Sequence, residues 1–208
     1  MTGQALILDI ETRMDPDLPD DYWDRIRERV KAPSNYKDPV KIEGYLDDQV
    51  LVAKEKAALS AKTGIVVMIG VQELGTGEME IFEAPGFNRE GEDKLLVEFI
   101  GWMGRYSHII GWNNRLFDLP FLMGRWLVHN LAFPDGWPRP RDYHRVVDLK
   151  ELLGGSLDDW FYLLEGDFKL VNGPEILKVS PGELRTHLID DLRVTARIAE
   201  GTETIWRS

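Results

Sequence analysis

The sequence predicts an α/β fold in which a mixed central sheet of about five strands is flanked by helices. Strand-like apolar segments come first along the chain and then alternate with segments of helical periodicity, an order that is typical of a mixed sheet. The chain has 208 residues, of which 43% are hydrophobic. This length and composition are sufficient for one substantial core, so we expect a single domain that spans residues 1–208.

The predicted strands are short apolar segments bounded by turn residues. In chain order they are ALILDIE, GIVVMIGVQEL, MEIFEAPG, HIIGW and the start of RVVDLKELL. The turn GTGE joins the second and third strands as a hairpin. Helical patterns occur in REGEDKLLVEFIGWMGR, DLPFLMGRWLVHN, SLDDWFYLLEG and PGELRTHLIDDLRVTARIAEGTETI. Because the first strand is a near-continuous apolar run, we expect it to lie in the middle of the sheet.

Residues 14–62 interrupt this order and predict a helical insertion after the first strand. YWDRIRERVKA is helical in character, PSNYKDPVKIEGY is irregular, and LDDQVLVAKEKAALSAKTG reads as an amphipathic helix that ends at Gly64. The insertion directly follows the first strand and is expected to lie near any site at the end of that strand. Its sequence leaves open whether it caps such a site, guides a bound strand or mediates self-association.

Composition excludes several classes of protein. The absence of cysteine excludes a disulfide framework and thiolate metal sites. The N-terminal segment lacks the basic region of a signal peptide, and no uncharged run approaches the roughly 20 residues of a membrane helix. We therefore expect a cytoplasmic protein without membrane contact. The net charge of −11 argues against a broad phosphate-binding surface, although carboxylates that bind divalent cations reverse the local sign.

Two acidic residues, Asp9 and Glu11, interrupt the apolar first strand in LILDIETR. Side chains two residues apart in a strand point to the same face. Like charges side by side on a buried strand are costly unless a cation lies between them. The pair therefore indicates either a hydrated face or a metal site.

Two later segments add further acids. Asp118 follows an apolar strand in IIGWNNRLFDLPFL and begins a helix, where free N–H groups stabilise a carboxylate. His187 and Asp191 are four residues apart in RTHLIDDLRVTARI and so share one face of the last helix. Ordinary interpretations exist for both segments, as a first-turn acid and as a solvated surface pair. Asp148 in VVDLKELL is expected to cap a helix rather than to bind a metal.

The three motifs are Asp-x-Glu on the first strand, Asn-x3-Phe-Asp after a mid-chain strand, and His-x3-Asp-x3-Thr on the last helix. In this order they resemble the DEDD superfamily of 3′→5′ exonucleases, the DnaQ-like group with the ribonuclease H-like fold. The resemblance is most specific in GWNNRLFDLPFL, which is similar to the second exonuclease motif of the proofreading domains of family B DNA polymerases. TGIVVMIGV and VVDLKELL are similar to the second strand and to a later strand-to-helix segment of those domains.

The resemblance implies hydrolysis of phosphodiester bonds with two divalent ions, Mg²⁺ or Mn²⁺. It implies that Asp9, Glu11, Asp118 and Asp191 are the metal ligands, and oxygen ligands suit such hard cations. The implied activity releases nucleoside 5′-monophosphates from the 3′ end of single-stranded DNA. Short RNA is an alternative substrate, because the same site accepts RNA when it admits a 2′-OH. A non-catalytic nucleic-acid-binding relative and a metal-independent interaction module are further alternatives, and the second leaves Asp9 and Glu11 unexplained.

His187 departs from the spacing of the family, which has either Tyr four residues before the last Asp or His five residues before it. Here His187 stands four residues before Asp191. An imidazole with a pKa of about 6.5 is a competent base for water at neutral pH. We therefore expect His187 to be the general base, with an inert surface histidine as the alternative and Tyr162 as a second candidate for the role.

Five residues near these acids are candidate substrate contacts: Thr12, Trp112, Asn113, Asn114 and Phe117. Trp112 and Phe117 could stack on an unpaired base or belong to the core. Asn113 fits the Asn-x3-Phe-Asp spacing, and Asn114 fits the shorter Asn-x2-Phe-Asp spacing of other family members. Either asparagine could hold the substrate or the turn. The oligomeric state is not indicated by the sequence.

Overall fold

The computed structural model of the chain describes residues 4–135, 137–138, 144–167 and 179–207. Its strands are β1 (Ala5–Met14), β2 (Gly64–Leu74), β3 (Met79–Glu83), β4 (His108–Gly111) and β5 (Val146–Asp148). They form one sheet in the order β3-β2-β1-β4-β5. The β1–β2 and β2–β3 pairs are antiparallel, whereas β4 is parallel to both β1 and β5. The predicted α/β, ribonuclease H-like fold, with a mixed sheet and the first strand at its centre, is confirmed.

Helices flank this sheet. They are α1 (Tyr22–Arg29), α2 (Pro39–Glu55), α3 (Arg89–Ile100), α4 (Asp118–Val128), α5 (Leu149–Leu153), α6 (Leu157–Glu165), α7 (Pro181–Gly201) and α8 (Glu203–Trp206). The predicted last helix is divided by a turn at Thr202, so it forms α7 and α8 rather than one helix. Among the helices described, none combines the length and the apolar character that crossing a membrane requires.

The side chains of β1 alternate between two apolar cores. Leu6, Leu8 and Ile10 belong to a core that includes buried residues of α3 and α4. Ala5 and Ile7 belong to a second core on the other face, which includes the buried leucines of α7. Burial of both faces explains why β1 begins as a continuous apolar run. We call the side of the sheet that packs against the last long helix the α7 face.

The helical insertion at 14–62 is present, but its second helix begins earlier than predicted. The predicted irregular segment PSNYKDPVKIEGY becomes helical at Pro39, and α2 ends at Glu55 rather than continuing to Gly64. The reason is a strong start signal, since the Asp38 carboxylate accepts the N–H of Val40 at 3.0 Å and proline occupies the first helical position.

The two ends of the insertion are fixed beside β1. The backbone N–H of Asp15 donates to the carbonyl of Thr63 at 2.9 Å. The hydroxyl of Thr12 donates to the carbonyl of Ala58 at 2.7 Å, in a short 3-10 helix that follows α2. By contrast, neither α1 nor α2 contains a buried residue. We call residues 16–56 the arm.

Candidate active site

Asp9 and Glu11 lie on the α7 face of β1. Asp9 is paired with Gly70 of β2, and Glu11 is paired with Met68, a residue of the core on that face. Asp9 is half-buried and Glu11 is 9% exposed. The structure therefore places the two carboxylates on one largely dry face of the sheet, as the period of a strand predicts.

Asp118 reaches the same part of β1 from its other edge. Strand β4 pairs with β1 only from Ala5 to Ile7, because the chain leaves the sheet where β4 ends. Further along β1, the N–H of Ile10 donates to Asp118 Oδ1 at 3.1 Å. The carboxylate at the start of α4 thus takes the place of a carbonyl that a longer β4 would provide.

Burial and the charge of Glu11 together raise the pKa of Asp118 to about 7. Burial is the main cause, since the residue is 2% exposed, and the charge of Glu11 raises the pKa further. Hydrogen bonds from the N–H groups of Ile10 and of Asp118 itself, and a hydrogen bond with Asp9, act in the opposite direction. The carboxyl groups of Asp9, Glu11 and Asp118 therefore interact at one end of β1.

Helix α7 passes close to the sheet at Gly70, the partner of Asp9. A Cβ atom on Gly70 would lie 2.7 Å from Leu192 Cδ1 and 2.9 Å from Leu188 Cγ, so the close approach depends on glycine. Asp191 lies between these leucines in the sequence and is 9% exposed. The helix consequently brings Asp191 to the face of β1 that carries the first two acids.

His187 and Asp191 are neighbours on α7. The distance from His187 Nδ1 to Asp191 Oδ1 is 3.4 Å, and each side chain is 12% exposed. This burial is not what a solvated surface pair would show. The imidazole is therefore held beside one of the predicted metal ligands.

The donor set at this end of β1 fits a hard divalent cation, because Mg²⁺ and Mn²⁺ prefer carboxylate oxygens. The raised pKa of Asp118 supports the fit, since a cation would favour the charged form of these buried acids. Within the described residues, however, no group of three or more His, Asp or Glu side chains is arranged so that it could hold a metal ion. The chemistry of the donors fits, and metal binding stays a prediction.

Residues 112–117 form the loop that connects β4 to α4 and delivers Asp118. Its conformation is held by Asp148, whose carboxylate accepts the N–H of Asn113 at 2.9 Å and that of Arg115 at 3.1 Å. Asn113 adopts a φ of 66°, which asparagine tolerates better than most residues. The prediction that Asp148 caps a helix is confirmed, since it also accepts the N–H of residue 150 at the start of α5.

The candidate substrate contacts lie at different depths. Asn114 is fully buried, and its side chain packs against the backbone of Gly111. The hydroxyl of Thr12 is engaged by the insertion through its 2.7 Å hydrogen bond. Trp112 and Phe117 are half-buried at the margins of the two cores. Asn113 is half-buried as well, so Trp112, Asn113 and Phe117 are the members of this group that retain exposed surface.

Two residues that shape the site have roles that the sequence analysis did not identify. Gly70 lies inside the strand GIVVMIGVQEL, and a glycine within an apolar strand is a signal of close backbone approach. That signal was available in the sequence. Asp148 was assigned only as a helix cap, because its bonds to the 112–117 loop arise when β4 and β5 pair in the sheet.

The fold is similar to that of a family B DNA polymerase from the hyperthermophilic archaeon Pyrobaculum calidifontis, with a TM-score of 0.60 and 20% sequence identity. The similarity covers 97% of this chain and 25% of the polymerase chain, so the protein corresponds to about a quarter of the polymerase. No family model and no curated protein sequence matches the chain. At this identity the likeness establishes the shared fold.

Proposed function

We propose that the protein is a 3′→5′ exonuclease that hydrolyses single-stranded DNA and releases nucleoside 5′-monophosphates. The observation that carries the proposal is the meeting of Asp118 with Asp9 and Glu11 at one end of β1. Burying several carboxyl groups together destabilises a fold unless something compensates their charge. Their convergence from distant parts of the chain is better explained by binding chemistry than by folding. The resemblance of the three motifs to the DEDD exonucleases supports this interpretation.

In this proposal Asp9, Glu11, Asp118 and Asp191 hold two divalent ions, Mg²⁺ or Mn²⁺. When bound, such ions lower the pKa of water and neutralise the charge that develops on a leaving oxygen. His187 accepts a proton from the attacking water, because its imidazole lies beside Asp191 and an imidazole nitrogen can act as a general base. The water oxygen bonds to phosphorus, the bond from phosphorus to the 3′ oxygen breaks, and that oxygen takes up a proton from solvent, to which His187 then releases the proton that it accepted.

The loop 112–117 is proposed to hold the 3′ end of the strand. Trp112 and Phe117 are half-buried aromatic residues that flank the loop, and each could stack against an unpaired base. Asn113, Asn114 and Thr12 shape the same region through the backbone contacts described above. The preference for DNA over RNA rests on the similarity of GWNNRLFDLPFL to the motif of polymerase proofreading domains.

The proposal is tested with purified protein and two strands of matched sequence, a 5′-labelled single-stranded DNA and a 5′-labelled RNA. Each strand is incubated with Mg²⁺, with Mn²⁺ and with EDTA, and Asp9→Ala protein serves as the control. We expect a ladder of products that shorten from the 3′ end of the DNA. The ladder should disappear with EDTA and in the Asp9→Ala protein, because both remove the metal-dependent chemistry.

The same experiment separates the alternatives. Faster shortening of the RNA would identify an exoribonuclease that uses the same residues. Absence of cleavage with either metal would contradict the proposal, and a strand that is bound but not cut would identify a non-catalytic nucleic-acid-binding protein. Calorimetric titration with Mn²⁺ complements the assay, since Asp118→Asn should weaken metal binding if the carboxylates are ligands.

A further inference from the structure

The arm carries a groove at the end of α2 that is remote from β1. It has a volume of about 720 Å³, and its lining includes Tyr36, Lys37, Lys41, Gly44, Tyr45 and Asp48. Lys41, Gly44, Tyr45 and Asp48 share one face of α2, since they are spaced by three or four residues. The preceding turn brings Tyr36 against Tyr45, with ring centroids 5.7 Å apart in an edge-to-face arrangement.

The floor of this groove is open because of a glycine. Gly44 lies in the interior of α2, where glycine destabilises a helix relative to alanine. No heavy atom lies within 4 Å of a Cβ built at this position, so packing within the described structure does not require glycine. The missing side chain instead leaves space between Lys41 and Asp48 for a flat group beside the tyrosine rings.

The cations of the groove are free to bind an anion. Among the described residues, neither Lys37 nor Lys41 takes part in an ion pair. The carboxylate of Asp38 is engaged at the start of α2, where it accepts the N–H of Val40. A second cavity of the arm differs in this respect, because its Arg27 is already paired with Asp47 at 2.8 Å.

The insertion that contains the arm carries little net charge. Residues 14–62 contain nine Lys or Arg and eleven Asp or Glu, whereas the whole chain contains 25 and 36. The remaining residues therefore carry most of the net charge of −11. Aromatic rings and unpaired lysines that lie together on a surface are the combination that binds single-stranded nucleic acid without sequence preference.

We propose that this groove binds the substrate strand upstream of its 3′ end. An unpaired base stacks on Tyr36 or Tyr45, over the space left by Gly44, while Lys37 and Lys41 contact the adjoining phosphates. Tyr45 is 13 residues from Ala58, which is fixed to β1 next to Glu11. At the rise of an α-helix this separation is about 20 Å, a distance that several nucleotides span. The proposal rests on the proposed function, because it assigns a second contact to the same strand.

Gly44→Leu is the decisive variant, because it fills the groove without disturbing a contact. Leucine favours the helix more than glycine, so the melting temperature should stay the same or rise. Binding is measured by fluorescence anisotropy in EDTA with a labelled oligo-dT of about 20 nucleotides, a length that covers the groove and the site. We expect the dissociation constant to rise about 10-fold in this variant, as loss of one stacked base predicts.

Lys37→Ala/Lys41→Ala should weaken the same binding and reduce the slope of log K against log salt by about 1.4, because each phosphate contact contributes about 0.7 on single strands. Arg29→Ala/Lys31→Ala is the matched control, since it removes two exposed cations of the arm that do not line the groove. The slope should change less in this control. Equal effects of the two double variants would overturn the groove as a specific contact.

Binding measured in EDTA tests the groove separately from the proposed exonuclease function, because cleavage requires a divalent metal. Wild-type affinity in the Gly44→Leu protein, or failure of the wild-type protein to bind the strand, would overturn the groove proposal. Binding that depends on Gly44 without any cleavage under Mg²⁺ or Mn²⁺ would support the groove and contradict the exonuclease. If the groove proposal and the exonuclease proposal both hold, Gly44→Leu should raise the KM for the 20-nucleotide strand about 10-fold and leave kcat unchanged. Cleavage of a trinucleotide, which is too short to reach the groove, should be unaffected.

Discussion

At the scale of single residues, Asp118 makes a structural hydrogen bond although its burial disfavours the charged form of its carboxyl group. Its carboxylate accepts the N–H of Ile10 and thereby completes the hydrogen bonding of β1 beyond the end of β4. The same burial that makes this bond strong raises the pKa of the carboxyl to about 7. A neutral asparagine could accept the same hydrogen bond without the cost of burying a charge. The charge at this position is therefore better explained by function than by stability.

His187→Ala tests the proposed base. We expect kcat to fall by at least about 100-fold, the usual lower limit for loss of a general base, while KM and the melting temperature change little. The measurement is a steady-state rate on labelled single-stranded DNA with Mg²⁺ or Mn²⁺. The loss should be greatest near neutral pH and smaller at high pH, where hydroxide replaces the base.

Tyr162→Phe is the matched control for the base, because Tyr162 was the second candidate from the sequence and is 45% exposed on α6. Its activity should equal that of the wild-type protein. Near-normal turnover in the His187→Ala protein would contradict the assignment. A large loss in the Tyr162→Phe protein would transfer the role to the tyrosine.

At the scale of elements, the site depends on how closely α7 packs against β2. The contact at Gly70 allows Leu188 and Leu192 to lie directly on the sheet beside Asp9. Asp191 and His187 follow as a consequence of their position on the same helix. The packing of α7 at Gly70 therefore positions the last motif.

Gly70→Ala should separate α7 from the sheet. The added Cβ would lie 2.7 Å from Leu192 Cδ1, so the helix or its leucines must move. Overpacking of this kind costs about 1–3 kcal/mol, and we expect the free energy of unfolding in urea to fall by that amount. Exonuclease rates should fall as well, since the displaced helix carries Asp191.

Gly182→Ala is the control for this effect, because Gly182 lies in the first turn of the same helix with no heavy atom within 4 Å of a Cβ. It should leave activity unchanged and stability the same or slightly higher. Unchanged stability and activity in the Gly70→Ala protein would show that α7 accommodates the methyl group. The position of the last motif would then not depend on this contact.

Whether an element could be predicted depended on how local its determinants are. The strands and the helices α3 to α6 follow from patterns within each segment, such as the Ser156 capping box of α6. The start of α2 was also encoded locally, by Asp38 and Pro39, and was missed because the segment before it is rich in turn residues. The division between α7 and α8 at Thr202 directly follows Gly201, and a glycine at this place is a local signal for the end of a helix.

At the scale of the whole molecule, the sequence could identify the acids but not the contacts that bring them together. The resemblance of the three motifs to the DEDD exonucleases indicated Asp9, Glu11, Asp118 and Asp191 as candidate ligands. The hydrogen bond from Ile10 to Asp118 joins residues 108 positions apart and follows from the register of the sheet. Register is a property of the assembled fold, so such contacts become visible only in the structure.

A buried ion pair connects several elements on the side of the sheet opposite α7. Arg125 of α4 donates to Glu92 of α3 through two nitrogens, at 2.6 and 2.8 Å, and both residues are almost fully buried. Glu92 also accepts the N–H of Val66 on β2 at 2.8 Å, and His129 lies 2.7 Å from it. Arg125 further donates to the carbonyl of Ala61 in the insertion at 2.9 Å. The ion pair thus connects two helices, a strand and, through Arg125, the base of the insertion.

This arrangement predicts a specific loss of stability in acid. Burial alone would raise the pKa of Glu92, but hydrogen bonds from His129 and Arg125, the charge of Arg125 and the N–H of Val66 hold it below its ordinary value. A carboxyl group with a lowered pKa in the folded state stabilises the protein above its unfolded pKa of about 4.3. That contribution decreases as the pH falls below this value and is lost as the pH passes through the folded pKa.

Glu92→Gln tests this contribution directly. Removing one partner of a buried ion pair leaves the other charge uncompensated, so at pH 7 the free energy of unfolding should fall by about 3–5 kcal/mol. Urea unfolding of both proteins between pH 7 and pH 3 should show that the difference between them shrinks below about pH 4.3. Glu90→Gln is the control on the same helix, because its salt bridge with Lys94 is exposed to solvent and should matter little. A difference between wild-type and Glu92→Gln proteins that stays constant down to pH 3 would contradict a lowered pKa of Glu92 in the folded state, and the acid-sensitive contacts of the fold would then lie elsewhere.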